Sequence, residues 1–287
     1  MVSASIGSVA DETKKRSLQA HGLNSKVYGP ILLHIFNSRW RKGAPTVIFT
    51  LDDVRNAADA LELEVRNPAD LIYRMRSRTV LPKEILEKGF YILRATGRGQ
   101  YQFEKGSSTL FQPLDNVPTE ALDITPLPVR RLLPEKLAEM DEQAILTLAS
   151  YCRLLDHFSG LTIYRLRNHV RKSVPGVGQA ELDAIDVGVA LRDDEMPVVF
   201  PIEAKAAPDA LNRVQIHNMI RFAAHYFPGH EIRPLAIKAD YDSVLHLMEF
   251  NTSIKAADLK ITRSASYVLS LSEQQLNAIR STKATQL

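Results

Sequence analysis

Two apolar, β-branched segments in the second half of the chain carry several carboxylates and one lysine. Residues 178–189 read GQAELDAIDVGV, and residues 197–205 read PVVFPIEAK. Each segment is typical of a β-strand, and the polar residues 192–196 between them are typical of a hairpin turn. A charge inside such a strand is costly unless it is paired, hydrated or bound to a metal. The charged residues of these two segments are therefore candidates for chemistry.

The two-residue period of a strand brings some of these charges onto one face. Glu181 shares a face with Asp183, and Glu203 shares a face with Lys205. If the two strands pair, two or three carboxylates and one ammonium converge on one spot. Such oxygen ligands suit a hard cation such as Mg²⁺ (or Mn²⁺), and Mg²⁺ needs only one or two carboxylates. A metal held beside carboxylates and a lysine is suited to the hydrolysis of phosphodiesters.

At these residues the chain resembles the PD-(D/E)xK nuclease superfamily. The second acid and the lysine of the family motif fall on Glu203-Ala204-Lys205, and the first acid falls on Asp183 or Asp186. The resemblance implies an α/β fold with a restriction-endonuclease-like core, which is a mixed sheet flanked by helices. The element order over residues 134–240 is compatible with it. We predict a helix over 134–157, a strand over 161–166, the two acidic strands, a helix over 209–227 and a strand over 233–238.

The two candidates for the first acid lie on opposite faces of a regular strand. Asp183 is favoured because it shares a face with Glu181, whereas a β-bulge would bring Asp186 into its place. The resemblance also implies that Gln215, on the helix after the motif, orients a water or a carboxylate. It gives Glu142, on the preceding helix, as a further acid. Solvated helix residues are the alternative reading for both Gln215 and Glu142.

The resemblance implies a metal-dependent DNA endonuclease of the restriction or defence type. Asp183, Glu203 and the backbone carbonyl of Ala204 would bind Mg²⁺ or Mn²⁺, and Lys205 would hold or polarise the attacking water. Double-stranded DNA is the expected partner, and cutting both strands with one site per chain favours a homodimer. The alternative is a DNA-binding regulatory protein whose nuclease-like domain is inactive.

The first half of the chain predicts a mainly α, winged-helix-like DNA-binding domain over residues 25–112, after a loose N-terminal arm at 1–24. Helices are predicted over residues 26–40, from residue 50 and from residue 67, followed by a β-hairpin that turns at residues 97–99. In helix-turn-helix proteins the recognition helix enters the major groove, where arginine reads guanine. The candidate DNA-binding residues are Arg74, Arg76, Arg78 and Arg98, and an ordinary solvated helix face is the alternative.

Five prolines between residues 112 and 134 predict a linker at 113–133 without regular helix or sheet. The resemblance implies that residues 134–287 then form the nuclease-like domain. Near its end we predict a helix over 243–250, a strand over 266–271 and a closing helix over 273–279.

Composition limits the class of protein. The 287 residues are 45% apolar, which is enough for one large core or two smaller ones. The single cysteine, Cys152, excludes an internal disulfide, fits a reducing compartment and is expected to fill a core. The chain lacks an apolar run of membrane-spanning length and an N-terminal signal core, so we expect a cytoplasmic protein without a membrane partner. The net charge of +3 is too small to argue for nucleic acid by itself.

Overall fold

A computed structural model describes residues 24–77, 81–189 and 196–270, apart from residues 107, 109, 116, 125, 135, 208 and 242. The chain divides into two compact units, Met1–Thr109 and Leu110–Leu287. Each unit has its own buried apolar clusters. Most of the expected N-terminal arm, Arg78 and the expected closing helix over 273–279 lie outside the described residues. Across the described ranges, no helix is long and apolar enough to cross a membrane.

The first unit combines short helices with a small sheet. After a π-helical turn at Asn24–Tyr28, its elements are α1 (Gly29–Arg39), β1 (Thr46–Thr50), α2 (Leu51–Ala60), α3 (Pro68–Ser77), α4 (Lys83–Leu86), β2 (Phe90–Gly97) and β3 (Gln100–Lys105). The antiparallel sheet has the order β1-β3-β2. The hairpin predicted at residues 97–99 is therefore confirmed, whereas β1 was not predicted.

Local chemistry explains where α2 begins. The backbone N–H of Asp53 donates to the hydroxyl of Thr50, and the backbone N–H of Thr50 donates to the carboxylate of Asp53 at 2.7 Å. This reciprocal capping box satisfies two donors that the first turn of a helix leaves open. One side of α2 is buried with α1, α3 and the sheet in a single apolar cluster.

The second unit is built on a seven-stranded mixed sheet. Its elements are β4 (Leu110–Phe111), β5 (Thr119–Asp123), α5 (Glu142–Tyr151), α6 (Leu154–Ser159), β6 (Thr162–Val174), β7 (Gly178–Val189), β8 (Val198–Lys205), β9 (Leu211–Asn212), α7 (Arg213–Tyr226), β10 (Leu235–Ala239), β11 (Val244–Phe250) and β12 (Ile261–Ser270). The sheet order is β5-β12-β11-β10-β8-β7-β6, and β4 pairs separately with β9. Strands β8 and β10 are parallel, as are β5 and β12, and the other neighbours are antiparallel.

Helices cover both faces of this sheet. One apolar cluster joins α5 and α6 to the sheet, and a second joins α7 to it. Because α7 connects the parallel strands β8 and β10, the segment from residue 198 to residue 239 is a βαβ unit. The α/β class and the mixed sheet flanked by helices are therefore present.

Several predicted elements were wrong or differ in extent. Residues 243–250 form β11 instead of a helix, because their alternating side chains fit between two neighbours, β10 and β12. The segment from 113 to 133 is not free of regular structure, since β5 pairs with β12 at the edge of the sheet, where prolines on either side are tolerated. The helix expected over 134–157 is divided by Arg153, whose φ of 54° is left-handed. The strand expected at 161–166 extends to residue 174.

Candidate active site

Two neighbouring strands and two helices position the charged residues predicted for catalysis. Strands β7 and β8 are antiparallel, and their pairing runs from Gly188↔Val198 to Ala184↔Ile202. One residue further along each strand, Asp183 and Glu203 come next to each other. Glu142 begins α5, where the carboxylate of Asp141 caps the helix by accepting from the N–H of Ala144 at 2.8 Å. Gln215 lies in the first turn of α7.

The side chains form one hydrogen-bonded cluster. Nζ of Lys205 lies 2.8 Å from Oε1 of Glu203 and donates to Oε1 of Glu142 at 2.5 Å. The same Nζ donates to the carbonyl oxygen of Ala204 at 2.9 Å. Nε2 of Gln215 donates to Oε1 of Glu203 at 2.8 Å. The structure thus brings together Glu142, Glu203, Lys205 and Gln215, which the sequence placed in one site.

Asp183 joins this cluster through the backbone of β8. Its Oδ2 accepts from the N–H of Ala204 at 2.8 Å. The exposed fraction is only 8% for Asp183, 3% for Glu203 and 7% for Lys205. Three charged side chains at this depth are retained only when they balance one another or bind a ligand.

An irregularity in β7 explains why Asp183 and Asp186 have different surroundings. Residues two apart normally share a face, yet Leu182 packs in the apolar cluster of α7 and Ala184 packs in the cluster of α5 and α6. The alternation therefore slips by one residue at Asp183. Such a slip re-aims a side chain, as bulges next to active sites commonly do.

The carboxylate of Asp186 forms an ion pair outside this cluster. Both of its carboxylate oxygens accept hydrogen bonds from the guanidinium of Arg165, the residue paired with it on β6. Burial raises the pKa of Asp186, and Arg165 opposes that rise. The ion pair accounts for the charge of Asp186 within the sheet, so the structure does not bring this alternative first acid to the cluster.

Glu181 also lies outside the cluster. It is exposed and stands opposite Arg171 of β6, and no hydrogen bond joins it to Asp183, Glu203 or Lys205. The shared face that the sequence predicted for Glu181 and Asp183 is lost because of the slip at Asp183.

Burial and crowding dominate the electrostatics of the cluster. Burial raises the pKa of Glu203 to about 8, with Asp183 and Glu142 adding to the rise and Lys205 opposing it. Burial also raises the pKa of Asp183. The pKa of Lys205 is raised as well, because the surrounding carboxylates outweigh the burial that would lower it. The lysine is therefore a fixed cation that faces more carboxylates than it can neutralise.

The donor set suits a hard divalent cation. Among the described hydrogen bonds, Asp183 uses Oδ2 and Glu203 uses Oε1, so one oxygen of each carboxylate accepts none. The carbonyl of Ala204, the residue after Glu203, accepts from Nζ of Lys205. Within the described ranges, no group of three or more His, Cys, Asp or Glu side chains forms a ready-made cage. Two carboxylates and a carbonyl nevertheless match the sparse protein ligation of Mg²⁺, which keeps several of its waters.

The candidate DNA-binding arginines of the first unit have different surroundings. Nε of Arg74 donates to Oδ2 of Asp70 at 2.8 Å, one helical turn away, and Tyr28 donates to the same oxygen. Arg98 is exposed in the turn between β2 and β3. The side chain of Arg76 and the whole of Arg78 lie outside the described part of the chain.

Two further residues of the second unit, Cys152 and His169, carry titratable side chains. Cys152 is partly buried, and burial raises its pKa to about 11, so it is a neutral thiol at physiological pH. His169 of β6 was not singled out by the sequence, yet its neighbours Asn168 and Val170 pair with Ala184 and Leu182, the residues on either side of Asp183. Only the strand register identifies it, because no motif surrounds it.

Comparison with known proteins identifies no relative, since no family model, curated protein or solved structure matches the chain.

Proposed function

We propose that this protein is a metal-dependent DNA endonuclease of the PD-(D/E)xK type. The observation that carries the proposal is the buried convergence of Asp183, Glu203 and Lys205 at the point where the pairing of β7 with β8 ends. A purely structural ion pair would need one carboxylate for one ammonium. Here Lys205 faces a surplus of carboxylates, which a bound divalent cation would balance.

Each residue of the cluster has a defined task in this proposal. Asp183, Glu203 and the carbonyl of Ala204 would hold Mg²⁺ or Mn²⁺. The bound cation would supply Lewis-acid activation of a water and neutralisation of phosphate charge. The N–H of Ala204 orients Asp183, and Gln215 orients Glu203. Hydrogen bonds made to the residues that bind a metal fix the orientation of those ligands.

Lys205 has a dual role. In the structure its ammonium contacts the carboxyl groups of Glu142 and Glu203. With DNA present, the same cation would donate to the attacking water or to a phosphate oxygen, where negative charge develops during hydrolysis. Because the carboxylates keep Lys205 protonated, it acts as a hydrogen-bond donor and a positive charge, and the water must lose its proton to another acceptor.

The first unit supplies the case for double-stranded DNA as the substrate. Its helices, together with the hairpin that carries exposed Arg98, fit a winged-helix-like recognition domain. A separate recognition module in the same chain as a nuclease module suits a cytoplasmic restriction or defence enzyme. Cleavage of both strands by one cluster per chain favours a homodimer.

The direct test is incubation of supercoiled plasmid with purified protein. Conversion to nicked or linear DNA is expected with Mg²⁺ or Mn²⁺ and should stop when a chelator is added. Glu203→Gln should bind the plasmid without cutting it. If the wild-type protein binds DNA but leaves it intact under every divalent cation tried, the alternative of a regulatory protein with an inactive nuclease-like domain replaces this proposal.

A further inference from the structure

His169 occupies an irregular point of β6 next to the cluster. It lies between Asn168, which pairs with Ala184, and Val170, which pairs with Leu182. It therefore stands across from Asp183, at the place where β7 loses its alternation. Its φ of 45° is left-handed, which is uncommon for a residue other than glycine and foreign to a strand. Backbone outliers of this kind cluster at functional sites, where they aim a side chain.

The side chain of His169 is exposed and has no hydrogen-bond partner among the described residues. Burial raises the pKa of Asp183, and a positive charge on the His169 ring would oppose that rise. Three other polar residues of β6 have partners within the protein. Arg165 holds Asp186, Arg171 donates to Gln179 at 2.8 Å, and Lys172 lies over the ring of Tyr226.

We propose that His169 is a substrate-contacting residue that donates a hydrogen bond to a non-bridging oxygen of the phosphodiester held beside Asp183. The inference rests on the proposed nuclease function and adds a contact to it, made by the edge strand β6.

The chemistry of imidazole suits this contact. A histidine ring offers at least one N–H donor whether it is neutral or protonated, so the contact does not depend on a particular charge state. A phosphate oxygen is an ionised acceptor, and hydrogen bonds to ionised acceptors are the stronger kind. The left-handed backbone of His169 and the slip in β7 at Asp183 occur at facing positions of the two strands. Both irregularities change the direction of a side chain, at the same step of the ladder.

The test is single-turnover cleavage of an end-labelled duplex with the full-length protein in excess. His169→Gly removes the ring while accepting the left-handed backbone, and His169→Asn is a second variant that accepts it. Both should cleave about 10–100-fold more slowly at saturating protein, the range for losing a donor to a charged acceptor. Their melting temperatures should stay at the wild-type value. Added imidazole should restore a large part of the rate of His169→Gly.

Lys172→Ala is the matched control, because Lys172 is an exposed cation on the same strand that already contacts Tyr226. Its cleavage rate should equal that of the wild type. Cleavage by both histidine variants within about twofold of the wild-type rate would overturn the contact and leave the nuclease proposal standing. A loss that imidazole does not restore would also overturn it, because the residue would then be structural. A wild-type protein that cuts no DNA would remove the nuclease proposal and this contact together.

Discussion

Lys205 is the residue on which both the stability and the proposed chemistry of the cluster depend. Lys205 as a residue is 7% exposed, and its ammonium contacts carboxyl groups from β8 and α5. Burying a charge is tolerable only with a partner, and removing one member of a buried pair strands the other. Substitutions in this cluster must therefore be measured for folding as well as for cleavage.

Lys205→Met should lower the free energy of unfolding by about 3–5 kcal/mol, because Glu203 and Glu142 lose the cation that they contact. The double variant Lys205→Met with Glu203→Gln should recover part of that loss, with a coupling energy of about 0.5–3 kcal/mol. Neither variant should cleave DNA. Denaturant titrations of the wild type, both single variants and the double variant measure the coupling. Strictly additive effects would show that the two side chains do not interact in solution.

The pKa of Glu203 predicts how stability depends on pH in the absence of metal. The folded protein keeps this carboxyl protonated up to about pH 8, whereas an ordinary glutamate has a pKa of 4.5. Between these values the folded state binds more protons than the unfolded state. Protonation of Glu203 therefore stabilises the folded state fully below pH 4.5, and this contribution is lost as the pH rises toward about 8. In chelator, the wild-type melting temperature should fall over this range.

Glu203→Gln is the control for that pH dependence, because its amide is neutral throughout. Its melting temperature should change less with pH than that of the wild type and should exceed the wild-type value near pH 8. Parallel curves for the two proteins would mean that another group titrates over this range.

The sequence was sufficient for part of the site and insufficient for the rest, for a physical reason. Glu203 and Lys205 share a face by the period of a regular strand, so their proximity was predictable. The choice between Asp183 and Asp186 depends on the slip in β7, which follows from packing against two different helical layers. Glu181 was misplaced by the same slip. His169 needed the strand register, which a single sequence does not fix.

At the scale of elements, Gly188 shows how closely β7 packs against its neighbours. A Cβ at this position would lie 2.6 Å from Cε2 of Phe200 and 2.9 Å from Cδ1 of Leu161. These atoms belong to the core beneath the sheet, so they have little room to move. Position 188 therefore requires glycine, because the side chains of Phe200 and Leu161 approach its backbone too closely to admit a Cβ.

Gly188→Ala should lower the free energy of unfolding by about 1–3 kcal/mol through overpacking. Gly97→Ala is a suitable comparison, because the nearest atom to its added Cβ lies at an ordinary 3.5 Å. Denaturant unfolding of the two variants should rank Gly188→Ala as clearly less stable. Equal stabilities would mean that the core beside β7 yields easily.

Helices and strands were predicted correctly where local sequence signals were strong. The prediction failed where pairing with neighbouring strands determines the secondary structure. The start of α2 was visible as a capping threonine followed by acids, and the hairpin at residues 97–99 was visible as alternation around glycines. Strand β11 was mistaken for a helix because its apolar residues fit both periods, and its pairing with two neighbours decides the outcome. Strand β5 was hidden by flanking prolines, which an edge position accommodates.

At the scale of the whole molecule, the two units have separate cores, which predicts that each folds without the other. A fragment of residues 24–109 should show a cooperative thermal transition and bind duplex DNA. Its affinity should fall steeply with salt, because phosphate contacts release counterions. A folded fragment with no affinity for any duplex at low salt would assign the first unit to dimerisation or to a protein partner.

Arg98 and Arg74 should contribute differently to that binding. Arg98→Ala, in the exposed turn, should weaken binding to all sequences and reduce the salt slope by about one. Arg74→Ala also breaks the ion pair with Asp70, so Asp70→Asn is its control for folding. Filter-binding or anisotropy titrations at several salt concentrations measure both. An unchanged slope for Arg98→Ala would place the phosphate contacts elsewhere in the chain.

The most direct measurement of the central claim compares Asp183→Asn with Asp186→Asn in cleavage of one end-labelled duplex with Mg²⁺. The amide keeps the shape of the carboxylate but loses the charge that a Mg²⁺ ligand needs. Asp183 faces the cluster, whereas Asp186 is held by Arg165. We expect Asp183→Asn to abolish cleavage and a folded Asp186→Asn to retain it. Cleavage by Asp183→Asn at the wild-type rate would contradict the claim that this cluster hydrolyses DNA.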